Sequence, residues 1–111
     1  EDSELQQIRL RSLEKDEQDC NRLGISHRFM HLSALSPTTR ASHAERHGRL
    51  FTADEIRKWM AESDNSLDCK CSFTLVLVDT QGNPRSPKLV ERAAMSRQKF
   101  FGSIKSGDQS L

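Results

Sequence analysis

The sequence predicts a small α+β domain, in which a short antiparallel sheet packs on helices. Three observations support this fold class. Residues 73–78 form a run of apolar and β-branched side chains that is typical of a buried strand. Thr52 and Glu55 have the spacing of a capping box, and apolar residues follow them with a helical period. Ser86 and Pro87 indicate the start of a further helix with one apolar side.

The other elements are justified in chain order. Sparse apolar positions among charge pairs predict a first helix, which Gly24 ends as a C-terminal glycine. An alternating segment follows and predicts a strand. The predicted helices cover about 3–22, 53–62 and 87–101, and the predicted strands cover about 25–32 and 72–79. We therefore expect an acidic helical arm at 1–23, a domain at 24–101 and a flexible tail at 102–111, where no apolar period is found.

Size and charge limit the classes of function. A chain of 111 residues with 34% hydrophobic residues can close a single modest core. Residues 1–20 carry seven acidic and three basic side chains, whereas six Lys or Arg and two acidic residues follow residue 80. This basic end predicts a mild affinity for phosphate or for an acidic protein face, unless it is simply a solvated helix face. The candidate contact residues are Arg40, Arg92, Arg97 and Lys99.

Two pairs of metal-ligand residues are the main chemical feature. His43 and His47 are four residues apart, which places both rings on one face of a helix. Cys69 and Cys71 bracket a single residue before the valine-rich strand. An odd count of three cysteines argues against a closed disulfide framework. Because zinc takes four thiolate or imidazole ligands, we predict a zinc site at these four residues.

Several alternatives remain open at this point. The two cysteines could be small core thiols, and the histidines could be surface groups. His27 and His31 share a strand face and could add a ligand. Glu45 is shifted by one position from the glutamate of the zincin motif, which argues against metalloprotease chemistry. A small metal-dependent nuclease or toxin-type effector domain, with Arg40, His43 and His47 as phosphate clamp, base and ligand, is the second hypothesis.

The block from Pro37 to Gly48, followed by Phe51, Trp59 and the Cys69-Lys70-Cys71 segment, resembles the phage Mu F-type head-morphogenesis (minor head protein) family. The resemblance covers roughly residues 24–80. Carried over by position, His43 stands where some members have a cysteine, and His47 matches the histidine before glycine. Cys69 and Cys71 match the closing cysteine pair. The resemblance thus implies that the four residues form one site.

The same resemblance implies a function. Members of this family are virion proteins present in few copies, which associate with the portal and act in early head assembly or DNA delivery. For this chain it implies portal and capsid proteins as partners, with packaged DNA as a further candidate. It also implies a location in the virion, and in the host cytoplasm during assembly. No run of 18 apolar residues occurs in the sequence, so no membrane span is predicted.

Overall fold

The computed structural model describes residues 2–62, 65 and 71–110 of the chain. The elements are α1 (Asp2–Leu23), β1 (His27–Leu32), α2 (Ala41–Ala44), β2 (Leu50–Phe51), α3 (Ala53–Ala61), β3 (Ser72–Leu77) and α4 (Pro87–Ser110). The three strands form one antiparallel sheet in the order β2-β1-β3. The predicted α+β class with an antiparallel sheet is therefore confirmed.

The central strand β1 is buried on both faces. Phe29 and His31 point to one side of the sheet and Met30 to the other, since side chains alternate along a strand. Phe29 packs with Leu13 of α1 and Ile56 of α3. Met30 packs on the opposite side with residues that include Ala93 of α4. The sheet is consequently the middle of three layers, with α1 and α3 on one face and α4 on the other.

The valine-rich segment forms β3, but it is an edge strand and not the buried centre of the sheet. It pairs with β1 over six residues, from Ser72 opposite Leu32 to Leu77 opposite His27. Within this strand Val76 is buried, whereas Leu77 is exposed. The expectation of a core strand at this position was therefore wrong. The buried central position belongs to β1, because β1 is the strand that has a neighbour on each side.

Helix boundaries differ from the prediction at the chain's second half. α3 begins after Thr52, where the predicted capping box is present: Thr52 Oγ1 accepts from Glu55 N, and the Glu55 carboxylate accepts from Thr52 N. α4 continues to Ser110 instead of ending near residue 101. β2 was not predicted, since two residues are too few to show a period. Among the described residues, no helix is long and apolar enough to span a membrane.

Candidate metal centre

The segment from Arg40 to Gly48 holds three of the candidate side chains. It begins as the short helix α2 and then tightens: Arg46 N donates to His43 O at 3.2 Å, and His47 N donates to Ala44 O at 3.1 Å. These bonds span three residues, as in a 3₁₀ helix, where residues three apart share a face and residues four apart are rotated by about 120°. Arg46 therefore falls on the face of His43, and His47 does not.

Backbone contacts fix this segment to the sheet. Gly48 N donates to His31 O at 2.8 Å, and His31 N donates to Arg49 O at 3.1 Å. Gly48 has a positive φ of 80°, which favours glycine. A Cβ at this position would lie 2.7 Å from the Cβ of Ala93 in α4. The segment is thus clamped between β1 and α4, and the side chains that precede Gly48 have fixed positions.

His43 and Cys71 are the two predicted ligands that the structure brings together. His43 Nδ1 lies 3.5 Å from Cys71 Sγ. Both side chains are buried, with 3% and 2% of their surfaces exposed. The His43 ring packs edge-on against Trp59 of α3, with centroids 4.8 Å apart. The residue just before β3 therefore contacts a residue of α2, whose ring in turn packs on Trp59 of α3.

The spacing of this pair fits a shared metal ion. In a tetrahedral zinc site, Zn–S bonds of about 2.3 Å and Zn–N bonds of about 2.0 Å place nitrogen and sulfur ligands about 3.5 Å apart. The distance from His43 Nδ1 to Cys71 Sγ has this value. A weak hydrogen bond between thiol and imidazole has the same length range. His43 and Cys71 hence fit either a metal or a direct pair.

His47 does not fit the predicted site in its present orientation. Its Nδ1 accepts a hydrogen bond from Ser33 N at 2.9 Å. Its backbone oxygen accepts from Arg97 Nη1 of α4 at 2.6 Å. Burial lowers the pKa of His47, and the charge of Arg97 lowers it further, so the ring is neutral at pH 7. His47 thus joins the end of β1 to α4.

The fourth predicted ligand, Cys69, lies outside the described residues. Within the described part of the chain, no three His, Cys, Asp or Glu side chains are grouped closely enough to hold a metal. His27, the other strand histidine considered as a supplementary ligand, contacts the ring of Phe29. Two of the four predicted ligands are therefore adjacent, and one is engaged elsewhere.

A pair that the sequence did not indicate lies beside this site. Arg46 Nε donates to His31 Nδ1 at 3.1 Å. The Arg46 guanidinium stacks 3.9 Å from the ring centroid of Phe51 and 4.3 Å from that of Trp59, which is the geometry of cation–π contacts. Arg46, which follows α2, thereby contacts β1 through one hydrogen bond, and β2 and α3 through one aromatic ring each.

His31 is fully buried, at 0% exposure, and lies in an aromatic surround. Its ring meets Trp59 and Phe73 edge-on, with centroids 5.0 and 5.1 Å apart. Burial lowers the pKa of His31 to about 3, and the charge of Arg46 contributes to the same shift. Since Nδ1 accepts from Arg46, the neutral ring carries its proton on Nε2. His31 is therefore a poor metal ligand here, because its lone pair is already engaged.

Two buried donors shape the electrostatics of the cluster. Among the described residues, His31 Nε2 and Arg46 Nη2 have no hydrogen-bond partner. Burial lowers the pKa of Arg46, while attraction to Cys71, Glu55 and Glu62 acts in the opposite direction. A half-buried cation without a described ion pair favours negative charge nearby.

The candidate contact residues are spread over different surfaces. Arg40, Arg92 and Lys99 are exposed. Arg92 and Lys99 line a groove of about 650 Å³ along α4, whereas Arg97 is half-buried and holds the backbone of His47. They do not form one cluster of positive charge.

Comparisons of the chain with protein-family models, with curated proteins and with solved structures find no match.

Proposed function

We propose that this chain is a minor head protein domain of a phage, a virion component that acts with the portal and capsid proteins in head assembly or DNA delivery. The basis of the proposal is the sequence block that resembles the Mu F-type family. The virion would be its final location, and the host cytoplasm its location during assembly.

One observation carries the proposal: five described residues of that block, His43, Arg46, Phe51, Trp59 and Cys71, are linked by contacts in space. His43 contacts Cys71 and Trp59, and Arg46 covers both Trp59 and Phe51. These residues come from α2, β2, α3 and the start of β3. A chance similarity in scattered positions would have no reason to converge in one buried cluster. The convergence supports the interpretation that these residues form a single site.

The site is suited to a structural role. Zinc, when bound, would cross-link the segment after Pro37 to the start of β3 through His43 and Cys71, with Cys69 as the further sequence candidate. Because both described side chains are almost fully buried, they offer no open position to a substrate. Metal analysis of the purified chain tests this part. We expect stoichiometric zinc that is lost in Cys71→Ser, and a wild-type chain without zinc would remove the metal from the proposal.

Partner contact is best assigned to the outer face of α4. Arg92 and Lys99 are exposed there, and Met95 between them is an exposed apolar side chain with 67% of its surface accessible. Exposed cations around an apolar residue suit an acidic protein face or a phosphate backbone. This assignment supports portal or capsid proteins as partners and keeps packaged DNA as a candidate.

Particle composition tests the function directly. Phage particles are induced from the producing strain, purified by density, and analysed by quantitative mass spectrometry. The proposal predicts that peptides of this chain co-purify with heads at few copies relative to the major capsid protein. Expression of the chain in the induced culture without its incorporation into particles would contradict it.

The nuclease alternative is less well supported by the geometry. A general base must reach its substrate, whereas His31, His43 and His47 are all buried. Incubation of the chain with DNA and RNA in a series of divalent metals is the direct test. Cleavage that is lost in His43→Ala would establish the alternative.

A further inference from the structure

We infer that His47 is a structural hydrogen-bond acceptor and not a metal ligand, so that the metal site contains His43 and Cys71 without it. The metal part of this inference rests on the proposed function, whereas the acceptor role of His47 stands on the geometry alone. It departs from the ligand set that the sequence block implies.

The hydrogen bond that the His47 imidazole accepts argues against metal binding through this ring. A neutral imidazole has one nitrogen with a lone pair and one that carries a proton. His47 Nδ1 receives the Ser33 N–H at 2.9 Å, so its lone pair is used and the proton lies on Nε2. A metal at Nε2 would move the proton to Nδ1, directly against the Ser33 N–H. Metal binding through this ring would therefore break a part-buried hydrogen bond.

The backbone conformation from His43 to His47 also argues against His47 as a ligand. The 3₁₀ hydrogen bonds from Arg46 N to His43 O and from His47 N to Ala44 O rotate His47 away from the face of His43. Arg46 takes the position on that face, where it stacks on Trp59, the ring that His43 also contacts. In an α-helix His47 would occupy this position. Here the position is occupied by the guanidinium cation of Arg46, which cannot act as a metal ligand.

His47 already has a structural role in the fold. Its ring holds Ser33, just after β1, and its backbone oxygen holds Arg97 of α4. Three segments of the fold thus meet at this residue. Loss of the ring acceptor would leave the Ser33 N–H unsatisfied in a part-buried position, which is destabilising.

Two substitutions separate the acceptor role from the ligand role. His47→Asn places its carboxamide oxygen near the position of Nδ1 and removes Nε2. His47→Gln is closer in size to histidine, but its amide reaches the position of Nε2 and not that of Nδ1. We measure thermal unfolding in excess chelator, and Co²⁺ binding by the thiolate-to-cobalt absorption band. His43→Ala and Cys71→Ser serve as ligand variants, since an asparagine at residue 43 would place an oxygen at the position of Nδ1, the atom that faces Cys71.

The expected order of stability is wild type, then His47→Asn, then His47→Gln, with the two variants separated by about 5 °C in Tm. The expected Co²⁺ affinity of His47→Asn is within about threefold of the wild type, against a loss of at least about tenfold in the two ligand variants. Folded His47→Asn with a loss as large as that of His43→Ala would overturn the inference.

Failure of the proposed metal is distinguishable from failure of this inference. If the wild type binds no Co²⁺, the zinc part of the proposed function is lost, and the Tm order alone decides the role of His47. His47→Asn above His47→Gln then supports the acceptor role. Equal Tm values, or the reverse order, overturn it.

Discussion

At the scale of single residues, one tight turn determines which side chains enter the site. The His43 and His47 spacing predicts a shared face only if the segment is α-helical, and the structure instead tightens to 3₁₀ hydrogen bonds after α2. The sequence grouped His43 with Cys71, and the structure places the two side chains 3.5 Å apart. The sequence could not identify Arg46, because an arginine between two histidines has no spacing that distinguishes a buried stack from a solvated charge.

Gly48 is the residue at which this turn meets α4. Gly48→Ala is expected to destabilise the protein by about 2–5 kcal/mol, because it combines a positive φ with a Cβ contact of 2.7 Å to Ala93. Urea unfolding measures the loss. Gly24→Ala is the matched control, since Gly24 also has a positive φ but no atom within 4 Å of its Cβ position. It should cost about 1–2 kcal/mol, and equal losses at the two glycines would contradict the close approach.

His31 makes stability depend on pH in a predictable direction. The folded protein keeps His31 neutral down to about pH 3, whereas the unfolded chain binds a proton below the ordinary pKa of 6.5. Between these values the unfolded state holds more protons, so stability falls as the pH decreases. The slope from this residue is at most about 1.4 kcal/mol per pH unit. Because His47 also has a lowered pKa, it adds to the same trend.

The measurement is the free energy of unfolding in chelator at a series of pH values from 7 to 4.5. His31→Phe should flatten the decline relative to the wild type, whereas His27→Gln on the same strand should leave most of it. An unchanged slope in His31→Phe would show that the burial of this imidazole is not the source of the pH dependence.

At the scale of elements, the sequence predicted the features that form within one segment. It missed those that depend on pairing between segments. The capping box at Thr52 and Glu55 is formed as expected, because it is made within one turn. β2 escaped prediction, since it exists through pairing of Leu50 and Phe51 with β1. The valine-rich segment was correctly predicted to be a strand. Its position at the sheet edge follows from the order of the strands, which the composition of the segment does not reveal.

α1 offers the clearest test of element packing. The sequence describes an acidic arm with few apolar positions, yet Leu13 is 2% exposed and belongs to the core cluster with Phe29 and Ile56. Arg57 of α3 also forms an ion pair with Glu17 of α1. The helix therefore packs on the same face of the sheet as α3.

Leu13→Ala is expected to destabilise the chain by about 2–5 kcal/mol, through lost burial and the cavity left behind. Ile8→Ala on the same helix is the control. Its side chain is 58% exposed, and its loss should cost less than about 1 kcal/mol. Denaturant unfolding followed by circular dichroism measures both. A Leu13 variant as stable as the Ile8 variant would mean that α1 does not contribute to the core in solution.

At the scale of the whole molecule, the sheet order brings the site together. β1 lies between β2 and β3 and is antiparallel to both, so β2 and β3 begin at the same end of the sheet. His43 and Cys71 are 28 residues apart in sequence and meet for this reason. Their convergence could be suspected from the family resemblance, but not from spacing, because spacing says nothing about which strand ends are neighbours.

The same arrangement explains why the site suits a structural role. His31, His43 and Arg46 surround Trp59 in the interior and Cys71 contacts His43, while the exposed cations of α4 lie on the other side of the sheet. The proposed structural role is consistent with this separation of a buried cluster from an exposed basic surface, since the buried pair gives a substrate no access.

The most direct test of the central claim is a double-mutant cycle between His43→Ala and Cys71→Ala, measured by denaturant unfolding. If the two side chains form one site, their losses are not additive, and we predict a coupling free energy of about 1–3 kcal/mol. Repeating the cycle with zinc in excess should increase the coupling if a metal joins them. Losses that add to within about 0.3 kcal/mol in both conditions would contradict the claim that His43 and Cys71 act as a single buried site.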